Sequence, residues 1–191
     1  MKKYFLLTVF TLAATLWANA QNLDRMQWFN EPESYTIKNG TLEMDVPAQT
    51  DYWRISHYGF TVDDGPFLYT TVGGEFEAKI KVSGDYKVRF DQAGMMIRKD
   101  PSDWSVIELK EPIPFLWLKA VRRLDAIELY YSFDDKEYTM MRTLWMQDNC
   151  PLMVGPVAAC PDGQGFKAVF SHFKVKHLPD QRRVEWLRNN Q

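Results

Sequence analysis

Apolar and polar residues alternate with a period of two through most of the chain, the pattern of strands that bury one face. In SYTIKNGTLEMDV, Tyr35 and Ile37 alternate with polar neighbours, and Leu42, Met44 and Val46 do so again. Asn39-Gly40 separates the two runs, and these residues favour a type I′ hairpin turn, which needs positive φ at both central positions. EFEAKIKVSG repeats the pattern with Phe76, Ala78, Ile80 and Val82 on one side. AIELYYSF and EYTMMRTLW, joined by a turn at Asp134-Asp135-Lys136, predict a second hairpin, and LMVGPVAA and GFKAVFSHFKV predict the last strands. Short strands punctuated by turn residues every ten or so positions indicate an all-β protein, an antiparallel β-sandwich or jelly roll.

Three segments depart from plain alternation. In YKVRFDQAGMMIRK the apolar positions are Tyr86, Val88 and Phe90, then Met95 and Ile97, so the parity flips between Phe90 and Met95. A strand carrying both sets inward needs a bulge, or a break into two strands, near Asp91-Gln92-Ala93-Gly94. Such irregularities re-aim side chains, which makes Asp91 and Gln92 candidate site residues. The tail from Pro179 predicts either a short helix capped by Asp180, with Val184 and Leu187 on one side, or a frayed terminus. The third segment, TDYWRISHYGF over residues 50 to 60, concentrates aromatic and hydrogen-bonding side chains. Read as a strand, it places Asp51, Trp53, Ile55 and His57 on one face and Tyr52, Arg54, Ser56 and Tyr58 on the other.

The amino terminus has another character. Met1-Lys2-Lys3 is basic, Tyr4 to Trp17 is apolar, and Ala18-Asn19-Ala20 is a small-x-small site, the three parts of a secretory leader. The expected division is a leader over 1–20, one sandwich domain over 21–178 and a tail over 179–191, with the protein periplasmic or secreted. No other apolar stretch is long enough to span a membrane, so no integral membrane segment is expected in the mature chain. A net charge of −2 without a long basic run argues against nucleic acid as a partner. Cys150 and Cys160 flank PLMVGPVAA, and ten extended residues cover roughly 33 Å, whereas a disulfide needs Cα atoms about 5.5 Å apart. Two free, mostly buried thiols are therefore expected, unless the segment bends at Gly155-Pro156 to let a disulfide form. No histidine stands at ligand spacing from either cysteine, and no metal or cofactor is assigned.

Aromatics make up 15% of the chain, which suits a β-rich core and a stacking surface alike. Around TDYWRISHYGF the mixture fits carbohydrate, since sugar C–H faces stack on aromatic rings while paired hydroxyls meet planar polar groups. The competing reading makes Trp53 and Ile55 core and leaves His57 in a local hydrogen bond. Enzyme templates are missing: there is no GxSxG, HExxH, P-loop or dinucleotide fingerprint. Two carboxylates such as Asp51 and Asp91 serve a glycosidase only if held about 5 to 9.5 Å apart, and no catalytic residue is assigned.

The same residues carry a family resemblance. TDYWRISHYGF, DDGPFLY, GGEFEAKIKVSGDY, DQAGMMIR, SDWS and VGPVAACPDGQGFKAVFSHFKV, in that order, resemble the family called domain of unknown function 1349, also described as regulation-of-enolase-like, from about Trp28 to Val175. The resemblance implies a concanavalin A-like jelly roll of two curved antiparallel sheets and a carbohydrate-linked role without an established activity. The family's Thr-Asp-aromatic-Trp falls on Thr50, Asp51, Tyr52 and Trp53, and its Thr-His-Tyr-Gly-Phe on Ser56 to Phe60, with serine as the departure. Asp-Gln-Ala-Gly falls on Asp91 to Gly94 and Ser-Asp-Trp-Ser on Ser102 to Ser105. A hairpin-length stretch that the resemblance leads one to expect before this last block is missing, because Asp100 runs through Pro101 directly into it; if that hairpin supplies inner strands of the binding sheet, the groove is expected to be widened or damaged. The expected ligand-binding residues are Asp51, Trp53, His57, Tyr58, Asp91, Gln92 and Trp104, and the expected partner is a glycan or oligosaccharide. The alternatives are a glycan-active hydrolase or lyase using Asp51, Asp91 or His57, and an envelope interaction protein without a small ligand.

Overall fold

The computed structural model describes residues 22–109, 113–147 and 150–189. After a 3-10 turn at Leu23–Arg25, the strands in chain order are β1 (Gln27–Phe29), β2 (Tyr35–Lys38), β3 (Thr41–Val46), β4 (Tyr52–Arg54), β5 (Thr61–Asp63), β6 (Phe67–Val72) and β7 (Phe76–Gly84). There follow β8 (Gln92–Asp100), β9 (Asp103–Leu109), β10 (Leu116–Arg123), β11 (Ala126–Ser132), β12 (Thr139–Trp145), β13 (Leu152–Ala159), β14 (Phe166–His177) and one helix, α1 (Gln181–Asn189). They form a five-stranded sheet ordered β1-β6-β13-β8-β9, a seven-stranded sheet ordered β12-β11-β10-β7-β14-β3-β2, and a separate ribbon of β4 and β5. The fold is an antiparallel β-sandwich of the jelly-roll kind, as the alternation predicts.

The hairpin at Asn39-Gly40 forms as its chemistry requires. Both residues take positive φ, 51° and 72°, and Lys38 pairs directly with Thr41 across the two-residue turn. Between the sheets, Leu42, Met44, Ile80, Val82 and Leu118 of the larger sheet face Met95, Ile97 and Val154 of the smaller, all fully buried. Each such side chain contributes roughly 1.5–3 kcal/mol by leaving water.

The parity flip has a plain resolution. Tyr86 to Phe90 is not a strand but a loop ending in a turn, and the strand starts only at Gln92. From Ala93 to Arg98 every residue of β8 is buried, because its two faces are covered by different layers. Met95 and Ile97 point into the sandwich core, whereas Met96 joins Tyr52, Phe67 and Val157 in a second apolar cluster. Tyr52 belongs to the β4–β5 ribbon, which therefore lies over the outer face of the five-stranded sheet. Arg98 fastens the ribbon from beneath: its guanidinium donates to both carboxylate oxygens of Asp63 on β5, at 2.5 and 2.7 Å, and lies 4.4 Å from the Phe29 ring.

β13 runs extended through Gly155-Pro156 without a bend, and both cysteines are free thiols, Cys160 buried and Cys150 partly so. The tail takes the helical alternative. Asp180 accepts the Arg182 N–H at 2.9 Å, and Glu75 accepts the Gln181 N–H at 3.0 Å, which pins the helix start to the sheet. No helix among the described residues is long and apolar enough to cross a membrane. The residues of the expected leader, 1–20, lie outside the described residues.

Candidate functional site

TDYWRISHYGF remains a strand for only three residues. Ile55 and His57 adopt φ of 59° and 62°, a left-handed region that β-branched residues in particular avoid, and Gly59 follows at 75°. The chain thus turns on itself, with the Ile55 N–H donating to the Phe60 carbonyl and the Gly59 N–H to the Ile55 carbonyl. This corrects the expectation of a strand through Tyr58. It also brings together side chains that a strand would have set on opposite faces: the Trp53 and Tyr58 ring centroids are 5.5 Å apart, and Tyr58 stacks on Phe60 at 5.7 Å. The Trp53 indole N–H donates to the Ser56 carbonyl at 2.7 Å, which holds the ring upright.

Beside this aromatic wall an open groove of about 930 Å³ runs along the outer face of the five-stranded sheet. Its floor is β8 and β13, through Gln92, Ala93, Gly94 and Val157 to Ala159, and its far side is β9, through Trp104, Val106 and Glu108. Trp104 meets Tyr52 edge-on at 6.0 Å, so its ring is braced by the second apolar cluster. At the near end the Gln92 side-chain amide donates to the Asp51 carboxylate at 3.2 Å, and the same oxygen accepts the Tyr52 N–H at 2.7 Å. The pair forms a planar acceptor–donor edge. Burial, aided by the Asp63 charge, raises the Tyr52 phenol far above its usual pKa, and its hydroxyl donates to the Gly65 carbonyl. Tyr52 therefore stays a neutral structural strut under the wall.

Of the seven residues expected from sequence, Asp51, Trp53, Tyr58, Gln92 and Trp104 line this groove, and two do not. His57 is exposed and outside the groove lining, its ring 4.5 Å from Tyr58. Asp91 is fully buried: one oxygen accepts the N–H groups of Lys87 and Val88 at 2.7 and 3.1 Å, and the other accepts the Cys160 thiol at 3.0 Å. It closes the loop before β8, which is why the parity flips there. Burial first, then the bond to Asp91, raises the Cys160 pKa, so that thiol stays protonated. Among the described residues, no group of three or more His, Cys, Asp or Glu side chains is placed to hold a metal ion.

Sequence reasoning passed over Arg54, Phe60, Glu108, Arg142 and Asp162, all of which line the groove. Phe60 lies within TDYWRISHYGF, and a straight strand sets Arg54 on the face opposite Trp53. Glu108, Arg142 and Asp162 come from β9, β12 and the turn after β13, distant in sequence and without a local motif.

The β8–β9 connection is short. Asp100 pairs with Asp103 across Pro101-Ser102, and Asp100 accepts the Ser102 N–H and hydroxyl at 2.8 and 2.6 Å. The hairpin closes directly, which leaves β9 as a sheet edge.

Fold and groove together define a jelly-roll β-sandwich with an open aromatic cleft outside its smaller sheet. The chain belongs to the family described as "Protein of unknown function (DUF1349)", which matches residues 28–102 and 98–178, two segments that overlap at the Pro101-Ser102 turn. "Regulation of enolase protein 1" of Saccharomyces cerevisiae is 28% identical over 178 residues, covering 80% of this chain and 90% of the relative. A crystal structure of a functionally unknown protein from Saccharomyces cerevisiae superposes with a TM-score of 0.75 at 27% identity, covering 83% of this chain and 99% of that one. A xylan β-1,4-xylosidase from Bacillus halodurans C-125 superposes with a TM-score of 0.56 at 16% identity, over 82% of this chain and 38% of the enzyme, which shows a shared fold alone.

The yeast relative corrects one expectation. It aligns over 90% of its own length and is named "Regulation of enolase protein 1", so the assignment of this chain to the periplasm or the secreted fraction does not stand.

Proposed function

We propose that this protein is a non-catalytic carbohydrate-binding protein whose glycan lies along the groove between the ribbon wall and β9. The observation that carries the reading is the convergence of Trp53, Tyr58, Phe60 and Trp104 with the Asp51–Gln92 edge in one open cleft. Sugars need this combination: apolar ring faces for their C–H surfaces and fixed planar polar groups for paired hydroxyls. The cleft is open rather than closed over, which suits an extended oligosaccharide. The Asp51 carboxylate is tied to the Tyr52 amide and the Gln92 side chain, and Asp91 is spent on its own loop, so the two act as positioning and structural groups. The jelly-roll fold shared with a xylosidase supports the substrate class at the level of fold.

Trp53→Ala is the variant that separates a stacking platform from a core residue. The indole is only half-buried, so its loss opens no sealed cavity, and Tm is expected to fall by no more than a few degrees. Truncating a central aromatic contact costs about 2 kcal/mol or more in affinity, which is roughly a 30-fold rise in Kd. Calorimetric titration with the glycan that a glycan array retains best checks both halves. Undiminished affinity, or a protein that melts far below wild type, contradicts the assignment of Trp53 to the binding wall.

A further inference from the structure

The outer face of the seven-stranded sheet, on the other side of the sandwich from the groove, carries a row of lysines that the fold does not require. Lys119 on β10 pairs with Lys79 on β7, and Lys79 pairs with Lys174 on β14, so three lysines stand directly opposite one another across three adjacent strands. In the next row Lys81 stands between Trp117 and Ser171. Like charges placed directly opposite in a sheet are destabilising, and the chain as a whole has a net charge of −2, so this is a local concentration of positive charge.

The ammonium groups are also held in place. The Lys79 Nζ lies 5.2 Å from the Trp117 ring, Lys81 Nζ lies 3.8 Å from Phe115, and Lys119 Nζ lies 4.1 Å from Tyr138. A bulge between Ser171 and Lys174 puts His172 at φ 56° and seats its imidazole 5.2 Å from Trp117. Among the described residues, Asp135 bridges Lys79 at 2.5 Å and its charge reaches Lys174 as well, Glu77 stands opposite Lys176 in a neighbouring row and faces the Tyr138 hydroxyl, and Glu128 accepts the Tyr130 hydroxyl at 2.7 Å. Five lysines on this face, Lys79, Lys81, Lys119, Lys174 and Lys176, are thus set against Glu77, Glu128 and Asp135.

We propose that this face is a second ligand site, for a sugar-sized polyanion bearing clustered phosphate or sulfate groups. Three strands at about 4.8 Å spacing set the lysine row at roughly 10 Å, the scale of one or two substituted rings and far short of a nucleic-acid duplex. Overall negative charge gives no long-range pull on a phosphate backbone, whereas lysines set side by side across three strands suit anionic groups spaced on a rigid ring. The site is independent of the groove, because no residue of the lysine row lines it.

The test is calorimetric titration of the full chain with inositol hexakisphosphate and, separately, with a heparin-derived tetrasaccharide, comparing wild type with the double variant Lys119→Gln/Lys174→Gln. Wild type is expected to bind at least one of the two, with Kd rising steeply as salt increases from about 50 to about 200 mM. The double variant is expected to bind it about tenfold or more weakly, and its ligand-free Tm is expected to hold or rise because the repulsion is relieved. Binding of the phosphate probe alone or the sulfate probe alone assigns the anion, and Trp53→Ala is expected to leave either undisturbed. Failure of both probes at low salt, or equal affinity in the double variant, overturns the proposal without touching the groove.

Discussion

Asp63→Ala is expected to lower stability by about 3–5 kcal/mol, because it strands a guanidinium from which the fold has removed nearly all water. Arg98 is 1% exposed, and its carboxylate partner on β5 is its only ionic neighbour at bonding distance among the described residues. One nitrogen, Nε, already lacks a partner, so the site has no spare acceptor with which to compensate. For a chain of this size the loss corresponds to a fall in Tm of about 10 °C, measurable by calorimetry. Arg98→Met supplies the contrast. It removes the buried charge and leaves Asp63, whose side chain is 24% exposed, free to hydrate, so it is expected to cost less than Asp63→Ala. Equal costs would show that the loss comes from packing and not from a stranded charge. The pair also couples stability to function: β5 holds β4, β4 carries Trp53, and loosening Asp63 is expected to weaken glycan binding as well.

The second large effect is expected at Gly94→Ala. A Cβ there would overlap the Ile107 carbonyl and crowd the Glu108 Cα of the neighbouring strand, and these are backbone atoms that cannot swing aside. The β8–β9 pairing must open, and overpacking of this kind costs about 3 kcal/mol or more. Gly40→Ala is the control: open space surrounds its Cβ position, so the penalty there is confined to its positive φ of 72°, about 1–2 kcal/mol. Denaturant midpoints for the two variants rank them directly, and a Gly94→Ala protein as stable as Gly40→Ala would contradict the close approach of β8 to β9. Since β9 forms the far side of the groove, Gly94 shapes the site as well as the sheet.

These two positions show what the sequence discloses and what it withholds. Alternation reports which face of a strand is buried when only one is, and it served well for β3, β7 and β11, whereas on the edge strand β2 Tyr35 stays exposed. β8 defeats it because both faces are covered, one by the sandwich core and one by the β4–β5 ribbon, so Arg98, on the face opposite Met95 and Ile97, is among the most buried side chains. Asn39-Gly40 announces its turn because the required φ values select those residues. Ile55 gives no such warning, since a β-branched residue avoids positive φ, and the turn that gathers Trp53, Tyr58 and Phe60 is closed by bonds within the stretch, from the Ile55 N–H to the Phe60 carbonyl and from the Trp53 indole to the Ser56 carbonyl, which alternation does not encode. Asp91 was singled out for the right irregularity and the wrong role. A parity flip marks a loop as readily as a site, and only the Lys87, Val88 and Cys160 contacts distinguish them. Glu108 and Arg142 reach the groove through strand order, which alternation does not encode.

The central claim is that a glycan occupies the groove, and a ¹H–¹⁵N NMR titration locates the ligand most directly. The Trp53 indole N–H, bonded to the Ser56 carbonyl, and the Gln92 side-chain amide, bonded to Asp51, are two reporters at the wall and the near end. Titrated with the oligosaccharide that a glycan array retains best, both signals are predicted to shift together and saturate with one Kd, while the indole of Trp117, across the sandwich, stays still. Signals of Trp53 and Gln92 that do not move while others shift, or no shift anywhere at millimolar oligosaccharide, would contradict it.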